Sequence, residues 1–99
     1  MADLELLRAD HAPAVLDFEI VNRAWFARSI GDRGDDYFDH FADHHAELLA
    51  DQGAGHRACY LLVEDGVVLG RFNLLLLGDG VAELGYRVAA SSAGRGVAT

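Results

Sequence analysis

Two turn signals organise the second half of this chain. Asp65-Gly66 lies between the apolar runs 57–64 and 67–77, a strong two-residue hairpin signal. Gly78-Asp79-Gly80 turns the chain again. The third run, residues 81–89, alternates Ala82, Leu84, Tyr86 and Val88 against Glu83, Gly85 and Arg87, the period of a strand. Three strands joined by two short turns make an antiparallel meander. Gly70, inside the middle strand, marks a bulge or a close backbone approach.

The first half reads differently. Residues 4–8 are a short apolar run that predicts a strand. Asp10 is placed to cap a helix, with Pro13 in its first turn, where the missing N–H costs nothing. Val15, Phe18 and Val21, with Leu16 and Ile20, recur at helical spacing and predict a helix over residues 12–21. Residues 22–29, with Trp25 and Phe26, predict a second short helix. Gly31-Asp32-Arg33-Gly34 is a break. From Asp36 to Ala50, Phe38, Phe41, Ala42, His45, Leu48 and Leu49 share one broad helical face, and Gly53 suits the position just past the helix end. A strand, helices and then hairpin-linked strands make an α+β pattern in one domain.

Composition excludes several classes. The apolar fraction is 52% and no apolar run approaches membrane-span length, so the chain is expected to be globular, with no membrane partner. The acidic start, Met1-Ala2-Asp3-Leu4-Glu5, lacks the basic region of a signal peptide, which makes a cytoplasmic location the expectation. The net charge is −8 and all eight cations are Arg, so the basic patch that nucleic acid needs is missing. Cys59 is the only cysteine; it forms neither an internal disulfide nor a zinc site and reads as a core thiol.

The sharpest local signal is Leu84-Gly85-Tyr86-Arg87-Val88, followed by Ala93-Gly94-Arg95-Gly96-Val97-Ala98. A strand entering a small-residue loop (residues 91–96) and then a helix beginning at Val97 turns several backbone N–H groups toward one point. No bulky Cβ blocks approach, which suits a pyrophosphate. The segment resembles the acyl-CoA motif of the GNAT N-acetyltransferases: Arg or Gln, two residues, Gly, one residue, then Gly or Ala. Gly96 and Ala98 match; Ala93 stands where that family carries Arg or Gln, which removes a side chain but no backbone donor. Residues 83–88 look like the preceding strand of the branch that includes ribosomal-protein N-terminal acetyltransferases. Element order resembles the family over the whole chain; specific motif content is confined to residues 83–98.

The resemblance implies a mixed, mainly antiparallel sheet flanked by helices. Residues 1–99 would be the N-terminal portion of a single GNAT domain, ending where the helix after the loop begins. It implies acetyl-CoA as co-substrate, no metal, and a primary amine, either a protein N-terminus or a small molecule, as acceptor. The backbone of Val88 and Ala90 would bond the pantetheine arm, and the N–H groups of Gly94, Arg95, Gly96, Val97 and Ala98 would hold the pyrophosphate. Arg95 would add a cation or remain solvated. Glu83 is the candidate general base, acting through water; the other readings are a surface carboxylate or a partner of Arg87. The residues that would form the other wall of the cleft, including a tyrosine acid, would lie beyond Thr99. The 99 residues alone are then expected to bind acetyl-CoA poorly and to associate through an open strand edge. The rival reading is a non-catalytic interaction module using that edge.

Other clusters carry less. His40 and His44 share a helix face, but no third metal ligand follows, so a solvated face is the better reading. Residues 31–51 hold seven acids and one Arg, a solvated surface or a rim for a cationic amine. Trp25, Phe26, Phe38 and Phe41 read as core packing ahead of an acceptor pocket, and Tyr60 and Tyr86 as strand packing.

Overall fold

Both hairpin turns form where expected. Asp65 and Gly66 have φ of 51° and 78°, and Asp79 and Gly80 have 52° and 72°. Paired positive φ values of this kind match the right-handed twist of the flanking strands. The structure, a computed structural model, describes residues 2–93. Its elements are β1 (Asp3–Leu6), a 3-10 turn (Ala9–His11), α1 (Ala12–Val21), α2 (Arg23–Ser29), α3 (Asp35–Asp39), α4 (Phe41–Gly53), β2 (Arg57–Glu64), β3 (Val67–Gly78), β4 (Val81–Val88) and α5 (Ala90–Ala93). The strands form one antiparallel sheet in chain order, with β1 and β4 at its edges. The fold is α+β, as expected.

The register places Cys59, Leu61 and Val63 of β2, Val68, Arg71 and Asn73 of β3, and Glu83, Gly85 and Arg87 of β4 on one face. Val15, Phe18, Phe26 and Phe41 of the helices pack on this face, closing a core with Leu7, Cys59, Leu61, Val68 and Ala89. The opposite face leaves Leu4, Leu6, Tyr60, Leu76, Leu84 and Tyr86 exposed.

A register shift opposite Leu62 and Val63 makes Leu69 an extra residue in β3. Its carbonyl accepts the N–H of Ala89 at 2.8 Å, extending the hold on β4 past its last paired residue. Gly70 fulfils both of its readings. It borders the bulge, and a Cβ there would lie 3.3 Å from the Arg87 carbonyl oxygen and 3.2 Å from the Phe72 ring. Where β1 ends, the Gln52 side chain bridges it to β2, donating to the Leu7 carbonyl and accepting the Cys59 N–H, both at 2.9 Å.

Four local expectations are corrected. Asp10 does not cap α1: it lies in the 3-10 turn, His11 is the cap residue, and Arg8 Nε holds the Asp10 carboxylate at 3.0 Å. The buried stripe of α1 is Val15, Phe18, Glu19 and Asn22, at i, i+3, i+4 and i+7, whereas Ile20 and Val21 are 56% and 71% exposed. The helix expected over 36–50 is broken at His40, whose ring Nδ1 donates to the Asp36 carbonyl at 3.1 Å; such local side-chain bonding competes with helix continuation. The left-handed residue ending α4 is Gly55 (φ 82°), not Gly53. The Gly55 N–H bonds the Gln52 carbonyl and the His56 N–H bonds that of Asp51, a Schellman pattern.

Candidate functional site

β4 and the segment leaving it carry the residues singled out in the sequence. The Ala89 N–H points at β3. Successive residues of a strand aim their backbone polar groups to alternate sides, so those of Val88 face away from β3. Because β4 is an edge among the described strands, the Val88 N–H and carbonyl lie on an open border. The chain then leaves the sheet into α5, and the Ala90 N–H donates to Asn22 Oδ1 at 2.9 Å. Asn22 is buried at the α1–α2 junction, and its Nδ2 donates to the Phe18 carbonyl at 2.9 Å. The Ala90 N–H is therefore already engaged within the chain. Helical winding also begins at Ala90, where the sequence pointed to a loop from Ser91 and a helix from Val97. Gly94, Arg95, Gly96, Val97 and Ala98 lie outside the described residues.

Glu83 is exposed, with Leu75 as its cross-strand neighbour. It shares the helix-covered face with Gly85 and Arg87. Gly85 is about 7 Å along the strand from it. Arg87 faces a different carboxylate: its Nη1 is 3.6 Å from Oε1 of Glu19.

Glu19 is the centre of a cluster that sequence reasoning missed. It is 1% exposed. Arg33 Nε donates to its Oε1 at 2.9 Å and Arg33 Nη2 to its Oε2 at 3.2 Å. Arg71 Nη1 donates to Oε2 at 2.7 Å and to the Tyr37 hydroxyl at 3.2 Å. Burial alone would raise the Glu19 pKa, but the Arg33 hydrogen bond and the Arg71 and Arg33 charges outweigh it and hold it below the usual carboxylate value. Burial likewise opposes the Arg71 charge, and Tyr37 and Glu19 more than offset it. The available signal was a Glu and an Asn on the helical stripe begun by Val15 and Phe18, polar residues that a core admits only with partners.

A cavity of about 680 Å³ opens between the helices and this sheet face, with Arg33, Tyr37, His44, Arg71, Asn73 and Arg87 in its wall. Cys59 also reaches it; burial pushes its thiol pKa up, and its Sγ is 3.3 Å from Asn73 Oδ1, the environment of a core thiol. Phe26 and Phe41 are core, Trp25 packs against them, and Phe38 receives the Arg23 guanidinium at 4.4 Å from its ring centre. Tyr60 and Tyr86 are on the exposed face, Tyr86 stacked on Phe72. The His44 ring stacks on Tyr37, and His40 is paired with Asp36. Among the described residues there is no group of three metal-ligating side chains, and no helix is long and apolar enough to cross a membrane.

No protein-family model and no curated protein sequence matches the chain. Solved structures do. The ribosomal-protein-S5-alanine acetyltransferase from Vibrio fischeri superposes with a TM-score of 0.84 at 14% identity. The Salmonella typhimurium acetyl transferase that modifies the N-terminal serine of 50S ribosomal subunit protein L7/L12 gives 0.79 at 19%. A ribosomal L7/L12 alpha-N-protein acetyltransferase in complex with coenzyme A gives 0.80 at 20%. Each superposition covers 97% of this chain and 56% of the other, so the chain has their fold and spans little more than half their length.

Proposed function

We propose that this segment is the N-terminal portion of an acetyl-CoA-dependent N-acetyltransferase domain that acts on a primary amine. The observation that carries the reading is the junction after β4: an open strand border at Val88, a clamped turn at Ala90, and then the small-residue sequence Ala93-Gly94-Arg95-Gly96-Val97-Ala98. The fold shared with ribosomal-protein acetyltransferases, one of them solved with coenzyme A, supports it. Outward backbone groups at Val88 have the right chemistry for an amide-bearing pantetheine arm, and the N–H groups of residues 94–98 for a pyrophosphate. The Ala90 N–H is not free for that arm, since it is engaged by Asn22.

When bound, acetyl-CoA would supply the thioester carbonyl that the amine attacks, an amide C–N bond replacing the C–S bond and coenzyme A leaving as the thiol. An alkyl ammonium has a pKa near 10, so only about one molecule in a thousand is nucleophilic at neutral pH. Glu83, exposed on the cavity-side face of β4, takes the amine proton through water. A backbone N–H near Val88 would polarise the carbonyl oxygen. The acceptor is a protein N-terminus or a small-molecule amine, and the setting is cytoplasmic.

A second reading has its own observation. The exposed face bearing Leu4, Leu6, Leu84 and Tyr86, bordered by the β4 edge, is the surface of an interaction module. The two readings differ in cofactor binding. In the full-length protein, Gly96→Glu puts an acid on the pyrophosphate path, and calorimetry would register the loss of acetyl-CoA binding. Unchanged affinity in that variant, or none in the parent, rejects the enzyme reading. The 99-residue polypeptide on its own is expected to self-associate in light scattering and to bind acetyl-CoA poorly.

A further inference from the structure

The cavity beside Glu19 carries more positive charge than its fold requires. Glu19 presents two oxygens, and Arg33 and Arg71 occupy both. The third guanidinium, Arg87, stands 3.6 Å away, beyond hydrogen-bond reach. Its Nη1 is sealed from solvent and has no hydrogen-bond partner among the described residues. Three cations thus surround one carboxylate.

The acids nearby do not cancel the excess. Asp51 is drawn to Arg57 at 3.5 Å, Asp32 is held by Arg23 at 2.8 Å, and Glu47 is exposed at the cavity rim. Of the α3 carboxylates, Asp35 is held by Arg23 and Asp36 pairs with His40; both are exposed, although Asp36 and Asp32 share the wall of a neighbouring hollow with Arg33 and Arg87. Burial, and the charges of Arg33 and Arg71, push the Arg87 pKa down, and its shared counter-ion Glu19 opposes the shift without offsetting it. A charged group buried without a full partner is costly, and the cost is relieved when an anion arrives. Arg87 does have one apolar contact, with its guanidinium 4.8 Å from the Phe26 ring centre, which fixes its plane without supplying negative charge.

We propose that this cavity binds a carboxylate, with the part of the Arg87 guanidinium that lines the cavity as its principal ligand and Arg71 and Arg33 supplying the field. The volume of about 680 Å³ exceeds what one small ion fills and is in the range of small-molecule sites. Asn73, Tyr37 and His44 add neutral hydrogen-bonding groups to its wall. The cavity shares its sheet face with Glu83 and Gly85 of β4. The carboxylate therefore belongs to the acceptor: a primary amine bearing an acidic group, as a free amino acid or as an acidic side chain near a peptide N-terminus. This assignment rests on the acetyl-transfer reading, but the charge excess stands without it.

The test uses the full-length protein, acetyl-CoA and three acceptors. They are a peptide amide with glutamate at its second position, the same peptide with glutamine there, and free glutamate. Thiol release gives KM, and calorimetry without acetyl-CoA gives binding. The glutamate peptide or free glutamate should show a KM about 10 to 100 times lower than the glutamine peptide, the range for a charged hydrogen bond; which one does identifies the source of the carboxylate. Arg87→Met should bring the acidic and neutral acceptors within about twofold, and Arg87→Lys, which keeps the charge without the fork, should restore part of the difference. Acetyl-CoA affinity in each variant reports that the fold is intact. Equal KM values for acidic and neutral acceptors, or a preference that survives Arg87→Met, overturn the proposal while leaving acetyl transfer standing. Binding of the acidic acceptor that Arg87→Met abolishes, with no thiol release from any amine, supports the carboxylate site and rejects the catalytic reading.

Discussion

The Asn22 side-chain oxygen accepts the backbone N–H of Ala90 at 2.9 Å, joining residues 68 apart in sequence. The same amide donates to the Phe18 carbonyl, so one buried side chain locks the α1–α2 junction to the exit of β4. Asn22→Ala leaves a carbonyl and an N–H without these partners. We expect a loss of about 1–3 kcal/mol in urea denaturation. Acetyl-CoA affinity in the full-length protein should fall as well, because the segment leading to residues 94–98 loses its anchor. Unchanged stability would mean that water replaces the amide at no cost.

Glu19 holds three arginines in place. Removing its charge as Glu19→Gln leaves their mutual repulsion without a counter-ion, and breaking a buried ion cluster from one side costs about 3–5 kcal/mol. A smaller loss is expected from Arg33→Gln, since Arg33 is the most exposed of the three and Arg71 still pairs with Glu19. Equal effects for the two substitutions would contradict this ordering.

The same cluster sets a pH dependence. The folded-state pKa of Glu19 is lowered, as are those of Asp32 beside Arg23 and Glu5 beside His11. A lowered carboxylate contributes stability that is complete above its unfolded value, about 4.3 for Glu and about 3.9 for Asp, and is lost as pH falls through the folded value. The contribution of these carboxylates to the urea midpoint should be constant from about pH 7 to pH 6 and fall below about pH 4; the raised pKa of His40 beside Asp36 adds a small gain as pH drops through neutrality. Glu19→Gln should be less stable at neutral pH and lose less on acidification. Parallel curves for the two proteins would show that other carboxylates carry the acid response.

Gly70 lies where β3 passes closest to the backbone of β4. A methyl there would meet the Arg87 carbonyl oxygen at 3.3 Å and the Phe72 ring at 3.2 Å. The ring can turn but the carbonyl is fixed in the ladder, so Gly70→Ala should cost about 1–3 kcal/mol by overpacking. Gly85→Ala, with nothing within 4 Å of the new methyl, should be close to neutral in stability. Denaturation midpoints of the two variants check the contrast.

Strands were the most legible part of this chain, because an Asp-Gly turn with alternating flanks has few other solutions. β2 has the expected bounds, and β3 and β4 differ from expectation by a single residue at one end. Helix positions were legible too; helix faces were not. α1 is apolar nearly all round, so periodicity pointed to Ile20 and Val21, and the buried stripe proved to run through Glu19 and Asn22. What decided it was long-range: Arg33 from a loop and Arg71 from β3 complete a cluster that local sequence cannot display. The fold of the candidate site followed from residues 83–90, but the partners that set the charge around Arg87, namely Glu19, Arg33 and Arg71, came from parts of the chain far from any motif.

Acetyl transfer can be read as thiol release by the full-length protein carrying this segment. Acetyl-CoA would be offered with peptide N-termini and small amines, and the acetylated product identified by mass spectrometry. Free thiol should appear in equal amount to acetylated amine for at least one acceptor, with turnover lost in Gly96→Glu. No thiol release with any amine, together with no acetyl-CoA binding by calorimetry, would contradict it.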